Sequence, residues 1–513
     1  MMLQKTDHKR VVIVGAGPGG LATAMLLRAA GADVTVIERA DRVGGRTAAI
    51  EQDGFTFDVG PTFFLYPESL EAIFAACGRH LWDEVELTRL DPMYRLQFDD
   101  GVRFEATADV DALAEQVAVI DKDDARNVRA YLDANRAKFD SFLPILRRPF
   151  LGLRDILRGD MLRALPNLRP WSGVDADLGR WFKNPDVRLA FSFQSKYLGM
   201  SPFKCPSLFT ILAHVEYGFG VWHPTGGCNQ LTRAMARVAT EMGVEIRLSE
   251  PVTALSFEGR RVTGATTDHG HYPCDALVMN ADFAQAMRTL VPDNLRRRWT
   301  DAKIEAKQYS CSTFMLYLGL EGEFPDMHHH TIYMSSDYAE NVREIDAGLA
   351  PEEPTIYVQN GSVTDPTLAP EGHTALYVLV PVGNLTGGVD WQALAPAYRE
   401  KILDRVARLT GRDVRPLIRT EVMFTPEDWQ AQAAVFRGAT FNLAHNLGQM
   451  LHLRPRNRFE DLDGVYLTGG GTHPGSGLPT IFESAKIAST LVAEDLNLPE
   501  ADVPAHTLTE AAE

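Results

Sequence analysis

The chain has 513 residues, 45% of them hydrophobic and 23% charged, and 51 Lys plus Arg against 68 Asp plus Glu give a formal charge of −17. This length predicts two or three domains with a large core, and the acidic balance excludes nucleic acid as a bulk partner, because phosphate binding needs a basic surface. Cys77, Cys205, Cys228, Cys274 and Cys311 are scattered without CxxC spacing, as reduced thiols in a cytoplasmic protein would be.

Residues 1–10 are polar and leave no room for a signal peptide. No apolar run reaches the roughly 18 residues that a membrane span needs. Residues 11–14 are an apolar strand that runs into Gly15-Ala16-Gly17-Pro18-Gly19-Gly20. A helix over 21–30, a second apolar strand over 34–37 and Glu38 follow. Strand, glycine turn, helix, strand and acid form the dinucleotide-binding fingerprint. Gly15 permits the tight turn, Gly17 lets backbone approach a pyrophosphate, and Gly20 lets helix pack on strand. The helix N-terminus turns free N–H groups towards the phosphates. Glu38, 23 positions after Gly15, is placed to accept from a ribose hydroxyl. Arg39 follows it, and Gly44-Gly45-Arg46 adds a second glycine pair.

Residues 54–61 alternate as a strand and end in the turn Asp58-Val59-Gly60-Pro61. The pattern then predicts a helix over 67–78 and a hairpin over 94–105 turning at Asp99-Asp100-Gly101. Residues 106–220 read as largely helical. Within them, 141–171 hold Arg147, Arg148, Arg154, Arg158, Arg163 and Arg169 against Asp155 and Asp160, with apolar residues between. A basic, apolar stretch in an acidic chain fits a helical region lying on an anionic membrane surface. A solvated hairpin or an oligomer contact fits the same composition. Pro144, Pro149, Pro166 and Pro170 divide it into short pieces.

A second glycine turn, Thr225-Gly226-Gly227, leads into a helix over 232–242 and strands over 244–248, 251–257 and 262–265. A short strand over 274–279 ends in Asn280-Ala281-Asp282. Segments 312–320, 355–359 and 375–381 read as strands of one sheet, and His328-His329-His330 as a surface loop, with no second cluster spaced to complete a metal site. Last comes a strand over 464–468 and the loop Gly469-Gly470-Gly471-Thr472-His473-Pro474-Gly475-Ser476-Gly477-Leu478-Pro479-Thr480, with a helix over 481–496. Pro479 lacks an N–H, so the donors at that helix start are expected from Thr480 and Ile481.

These motifs together resemble the bacterial carotenoid (phytoene/diapophytoene) desaturases of the flavin amine oxidase superfamily, over about residues 10–497. The Gly44-Gly45-Arg46 pair, the D-x-G-P turn, the N-A-D strand end and the THPG loop carry the resemblance, as does Asp365 to Val382, which matches D-x-x-LAPEG…Y-V-L-x-P-V. The resemblance implies an α/β fold: a Rossmann-type FAD-binding domain from 8–90, 221–285 and 455–497, an inserted α+β substrate domain from 91–140 and 286–454, a helical membrane-associating region over 141–220, and an acidic flexible tail over 498–513. It implies FAD as cofactor, with Gly60 and Pro61 near the ring, Val252 beside the adenine, Asn280, Ala281 and Asp282 near the pyrophosphate, and Gly470, Gly471, Thr472, Gly477, Leu478, Pro479 and Thr480 cradling the flavin. Thr480 stands where the family usually has glycine, which is expected to narrow the space over the ring. The implied activity is desaturation of a long apolar isoprenoid, in the cytoplasm or on the inner face of the cell membrane. Glu216, Asp282 and His473 are candidate bases by motif position. A flavin oxidase of amines or carotenoid end groups, and a prenyl-lipid carrier like the Rab GDP-dissociation inhibitors, share the fold and stay open, as do the C30 or C40 choice and the oligomeric state.

Overall fold

The computed structural model describes residues 9–504. The polar residues before them and most of the acidic tail, 505–513, lie outside the described residues. Residues 498–503 turn back, and Leu498, Ala501 and Val503 pack against the core.

Two sheets organise the chain. The first is five-stranded and parallel, in the order Glu245–Arg247, Asp33–Ile37, Arg10–Val14, Ala276–Met279 and Val465–Leu467. Three stretches of chain, around residues 10–37, 245–279 and 465, thus supply neighbouring strands, and near-continuous Val, Ile and Leu runs are what a sheet covered on both faces requires. Helices Pro18–Ala29, Asn229–Glu241 and Leu478–Leu496 share one core on it. The three-stranded meander from Ala254 to Pro273 covers the other face.

The second sheet has seven strands, in the order Ile418–Phe424, Ser312–Glu321, His373–Val382, Ile356–Asn360, His330–Tyr333, Tyr94–Gln97 and Arg103–Ala106. All neighbours are antiparallel except His330–Tyr333 beside Tyr94–Gln97. The hairpin Ala49–Gln52 and Phe55–Asp58 leaves the parallel sheet and packs Phe55 and Phe57 on Tyr317 and Tyr377 of this second sheet. That contact places the Asp58–Pro61 turn at the junction of the two sheets.

Helices Val128–Leu146, Gly159–Leu168 and Ile211–Phe219 form a third layer. Pro144 and Pro166 sit inside the first two, near their C-terminal ends, so those prolines do not break the helices as the sequence suggested. The histidine triplet also differs from its sequence reading. His330 opens a central strand, His329 and His330 are buried, and only His328 keeps partial exposure, because strand pairing carries the run inward beside Gln359. Among the described residues there is no cluster suited to a metal ion, and no helix is long and apolar enough to cross a membrane. The five cysteines are free.

Candidate functional site

One cavity of about 840 Å³ runs from the glycine turn of the parallel sheet to the seven-stranded sheet. Gly15, Gly17, Pro18, Gly19, Glu38, Arg39, Gly45, Arg46, Gly60, Pro61, Val252, Asn280, Ala281, Asp282, Gly470, Gly471, Gly477, Leu478, Pro479 and Thr480 line it. Gly20, Gly44, Thr472, His473 and Glu216 do not.

At the first glycine turn the helix starts at Pro18, three residues before its predicted start, so Gly19 and Gly20 belong to it. A Cβ on Gly20 would lie 2.1 Å from the Gly15 carbonyl oxygen. Gly20 therefore serves the packing of helix on turn. Gly17 has an ordinary φ of −73° and opens towards the cavity, while Gly15, at φ +101°, makes the turn itself. Asn280 Nδ2 donates to the Gly15 carbonyl at 3.1 Å, so Asn280 braces this turn. Glu38 accepts from the Ala16 N–H at 2.7 Å and the Ala40 N–H at 2.9 Å. Each carboxylate oxygen keeps a further lone pair, and the group already fixes the loops on either side. Gly44 is at φ +107° and donates its N–H to the Ala16 carbonyl.

Arg46 donates to the Thr440 carbonyl at 2.6 Å. With its amide turned to match, Asn442 donates to Asp282 at 2.9 Å and accepts from Arg46 at 3.2 Å. Burial pushes the Asp282 carboxyl up and the Arg46 guanidinium down, and each opposes the other's shift. Asp282 also caps helix Phe283–Leu290 through the Gln285 N–H.

The turn after Asp58 is gripped from both sheets. Asp58 accepts from the backbone N–H groups of Cys228 and Asn229 at 2.7 and 2.9 Å, tying the turn to the start of helix Asn229–Glu241. Tyr317 and Tyr377 donate to the carbonyls of Val59 and Gly60 at 2.6 and 2.8 Å. Thr62 and Tyr357 share a hydrogen bond of 2.7 Å.

The C-terminal loop is held by a residue that sequence reasoning missed. Arg454 is fully buried and donates to the carbonyls of Gly470, Thr472 and Leu443 at 2.8, 3.0 and 3.1 Å. Burial pushes its guanidinium down to about 9. Asn457 donates to the His473 carbonyl, and His445 accepts from the Ser476 N–H. Thr472 turns its hydroxyl to the Pro455 carbonyl, away from the cavity. The helix begins at Leu478, and the Ile481 N–H is taken by the Gly477 carbonyl at 2.9 Å. The first-turn donors ahead of that bond are Leu478 and Thr480 rather than Thr480 and Ile481. Thr480 folds its hydroxyl back onto the carbonyls of Gly475, Ser476 and Gly477 at 3.1, 2.8 and 2.9 Å, so its polar end serves the loop.

Two of the candidate bases sit apart from the cavity. Glu216 is buried and accepts from Tyr94 and Gln194. His473 packs its ring on Phe150 with a centroid distance of 5.0 Å, beside the backbone of 146–148, and burial pushes it down to about 3.

His329, His330 and His445 are likewise held well below the ordinary histidine range by burial. In the resting fold each stays neutral, and each takes a proton in the unfolded chain below about pH 6.5. Their contribution is therefore complete above that pH and is lost as pH falls, in the case of His473 down to about 3. Each lowers stability by about 1.4 kcal/mol per pH unit well below 6.5. Urea midpoints between pH 7 and 5 should drop steeply, and H473N should flatten the slope by about one proton.

The chain matches the family "Flavin containing amine oxidoreductase" over residues 18–493. It is 43% identical over 491 residues to a 4,4'-diapophytoene desaturase (4,4'-diapolycopene-forming) of Methylomonas sp, covering 95% of this chain and 96% of the relative. A lycopene-forming phytoene desaturase of Pseudescherichia vulneris is 35% identical, covering 95% and 100%. In fold, it resembles an oxidoreductase from Methanosarcina mazei, with a TM-score of 0.64 at 17% identity, over 93% of this chain and 98% of that one. A single-site mutant of putrescine oxidase gives a TM-score of 0.62 at 16% identity, over 96% and 99%.

Proposed function

Because the chain belongs to the flavin-containing amine oxidoreductase family, and its relatives along nearly the whole length are carotenoid desaturases, we propose that it is an FAD-dependent desaturase of long isoprenoid polyenes in carotenoid biosynthesis. The observation that carries this reading is that one cavity has a glycine cradle at one end and a mainly apolar wall at the other. The residues suit the cofactor. Gly17 leaves room where a pyrophosphate must approach, Glu38 can meet a ribose, and the first turn of Leu478–Leu496 presents N–H groups and a partial positive charge. FAD bound there supplies the two-electron acceptor for a hydride.

The chain's own part is to hold the polyene against that end and keep water out. Phe142, Leu146, Leu212, Met315, Met334 and Leu379 line much of the rest of the cavity, with Lys196, Thr313 and Thr355 among them, and so largely apolar a wall suits a polyene better than a charged amine. An oxygen-free polyene gains about 25 cal/mol per Å² on entering it, and the hold fixes which carbon reacts. Co-expression with C30 and C40 polyene synthases tests the reading: we expect products lighter by two hydrogens per step, and the C30 polyene as the better substrate, following the Methylomonas relative. Unchanged polyenes in both strains would overturn it.

We also read the helical layer as a membrane contact. Leu153, Leu157, Leu162 and Trp171 are 69%, 70%, 52% and 69% exposed, interleaved with the exposed Arg154, Arg158 and Arg163. Arg147 and Arg148 serve the fold instead, paired with Glu483 and Asp160. Helices of this layer also line the cavity through Phe139, Leu143 and Leu212, so substrate would pass from bilayer to cavity under them. Flotation with anionic vesicles should retain the protein, and the pair L157D and W171D should weaken binding roughly tenfold or more, from the lost apolar burial.

A further inference from the structure

Resting on that desaturase reading, we propose that Tyr357 is the catalytic residue that accepts the proton leaving the polyene, and that His330 is the positioning residue which takes up the phenol's own proton. Tyr357 lines the cavity beside Thr62, next to the Gly60–Pro61 turn. Its hydroxyl lies 2.7 Å from Thr62 Oγ1 and 2.8 Å from His330 Nδ1. The His330 ring is fully buried and stacks on Phe63, with centroids 4.0 Å apart and planes at 14°, so it cannot turn away from the phenol. Behind it stand His329, which shares a hydrogen bond with Thr364, and His223, paired with Asp365 at 2.9 Å.

The direction of this chain follows from acidity. Phenol is the strongest acid and imidazole the strongest base among the three groups. Thr62 therefore donates to Tyr357, and Tyr357 donates to His330 Nδ1, which leaves one phenol lone pair unused on a side chain that lines the cavity. Loss of a hydride leaves an allylic cation on the polyene. The C–H pair on the neighbouring carbon becomes the new π bond, and its proton goes to Tyr357 Oη while the phenol proton moves to Nδ1. The phenol ends neutral and His330 ends as imidazolium, with the Asp365 carboxylate further back, beyond His329 and His223. Such a cation is a far stronger acid than imidazolium, so neutral groups suffice as base, and no carboxylate is needed beside the reacting carbon.

The test uses the flavin-loaded full chain and substrates carrying deuterium at either reacting carbon. In the wild type the isotope effect should lie at the carbon that gives up hydride. In Y357F, product formation should fall roughly 10²-fold, and a new isotope effect should appear at the carbon that gives up the proton. H330Q should show the same shift more weakly. Before substrate is added, ¹⁵N-histidine spectra should show His330 with a bare Nδ1, and Y357F should move that resonance. A slow Y357F with its isotope effect still at the hydride carbon, or an Nδ1 that carries a proton, would overturn the proposal. A wild type that leaves the polyene unchanged would instead overturn the desaturase reading.

Discussion

Replacing Arg454 with methionine should cost about 4 kcal/mol of stability and strip the protein of flavin. The side chain volume is nearly kept, yet three buried carbonyls, at Gly470, Thr472 and Leu443, lose their donor. Hydrogen bonds from a charged donor contribute about 1.5 kcal/mol or more each, and an abandoned buried acceptor adds its desolvation cost. Lysine should not restore the loop, because a single ammonium cannot reach three carbonyls that a planar fork spans. Denaturation midpoints and the flavin absorbance of the purified variants check both effects. The loss should exceed that of any single substitution in the glycine loop, since Arg454 joins it at two points, 470 and 472.

The second large effect separates two glycines of one motif. Gly20→Ala places a methyl 2.1 Å from the Gly15 carbonyl oxygen, a backbone atom that cannot move without opening the turn from the helix. It should destabilise the fold by about 3 kcal/mol. Gly17→Ala meets the Asn280 side chain at 3.1 Å and the Gly44 carbonyl oxygen at an ordinary 3.9 Å, and its φ of −73° suits alanine. That variant should lose far less stability than Gly20→Ala, since only the Asn280 amide must shift slightly, and bind FAD about a hundredfold more weakly, because the methyl occupies the face a pyrophosphate approaches. Titration of the apoproteins with FAD, alongside thermal unfolding, distinguishes a packing glycine from a binding glycine.

Residues differ in how far their identity alone reveals their work. Gly15, Gly44 and Gly477 adopt backbone angles that glycine alone adopts cheaply, so their chemistry is printed in their identity. The alternating segments around Met315, Val358 and Val378 likewise announce a sheet, and they form one. Arg454 could not be found this way, because its partners are carbonyls, which every residue has. Tyr357 and Thr62 meet across 295 positions, and nothing in either segment signals the other. The histidine triplet reads as a surface loop because polar residues in sequence suggest solvent, whereas here strand register, Tyr357 and Gln359 give His330 and His329 buried partners. Glu38 illustrates the middle ground: its place at the strand end is readable, its second duty of bracing Ala16 and Ala40 is not.

The most direct test mixes the FAD-loaded protein, without oxygen, with one equivalent of 4,4'-diapophytoene or phytoene in anionic vesicles. The desaturase reading predicts that the flavin band bleaches as one polyene equivalent loses two hydrogens and gains conjugated absorbance. Bleaching by an amine with the polyenes left intact would contradict it.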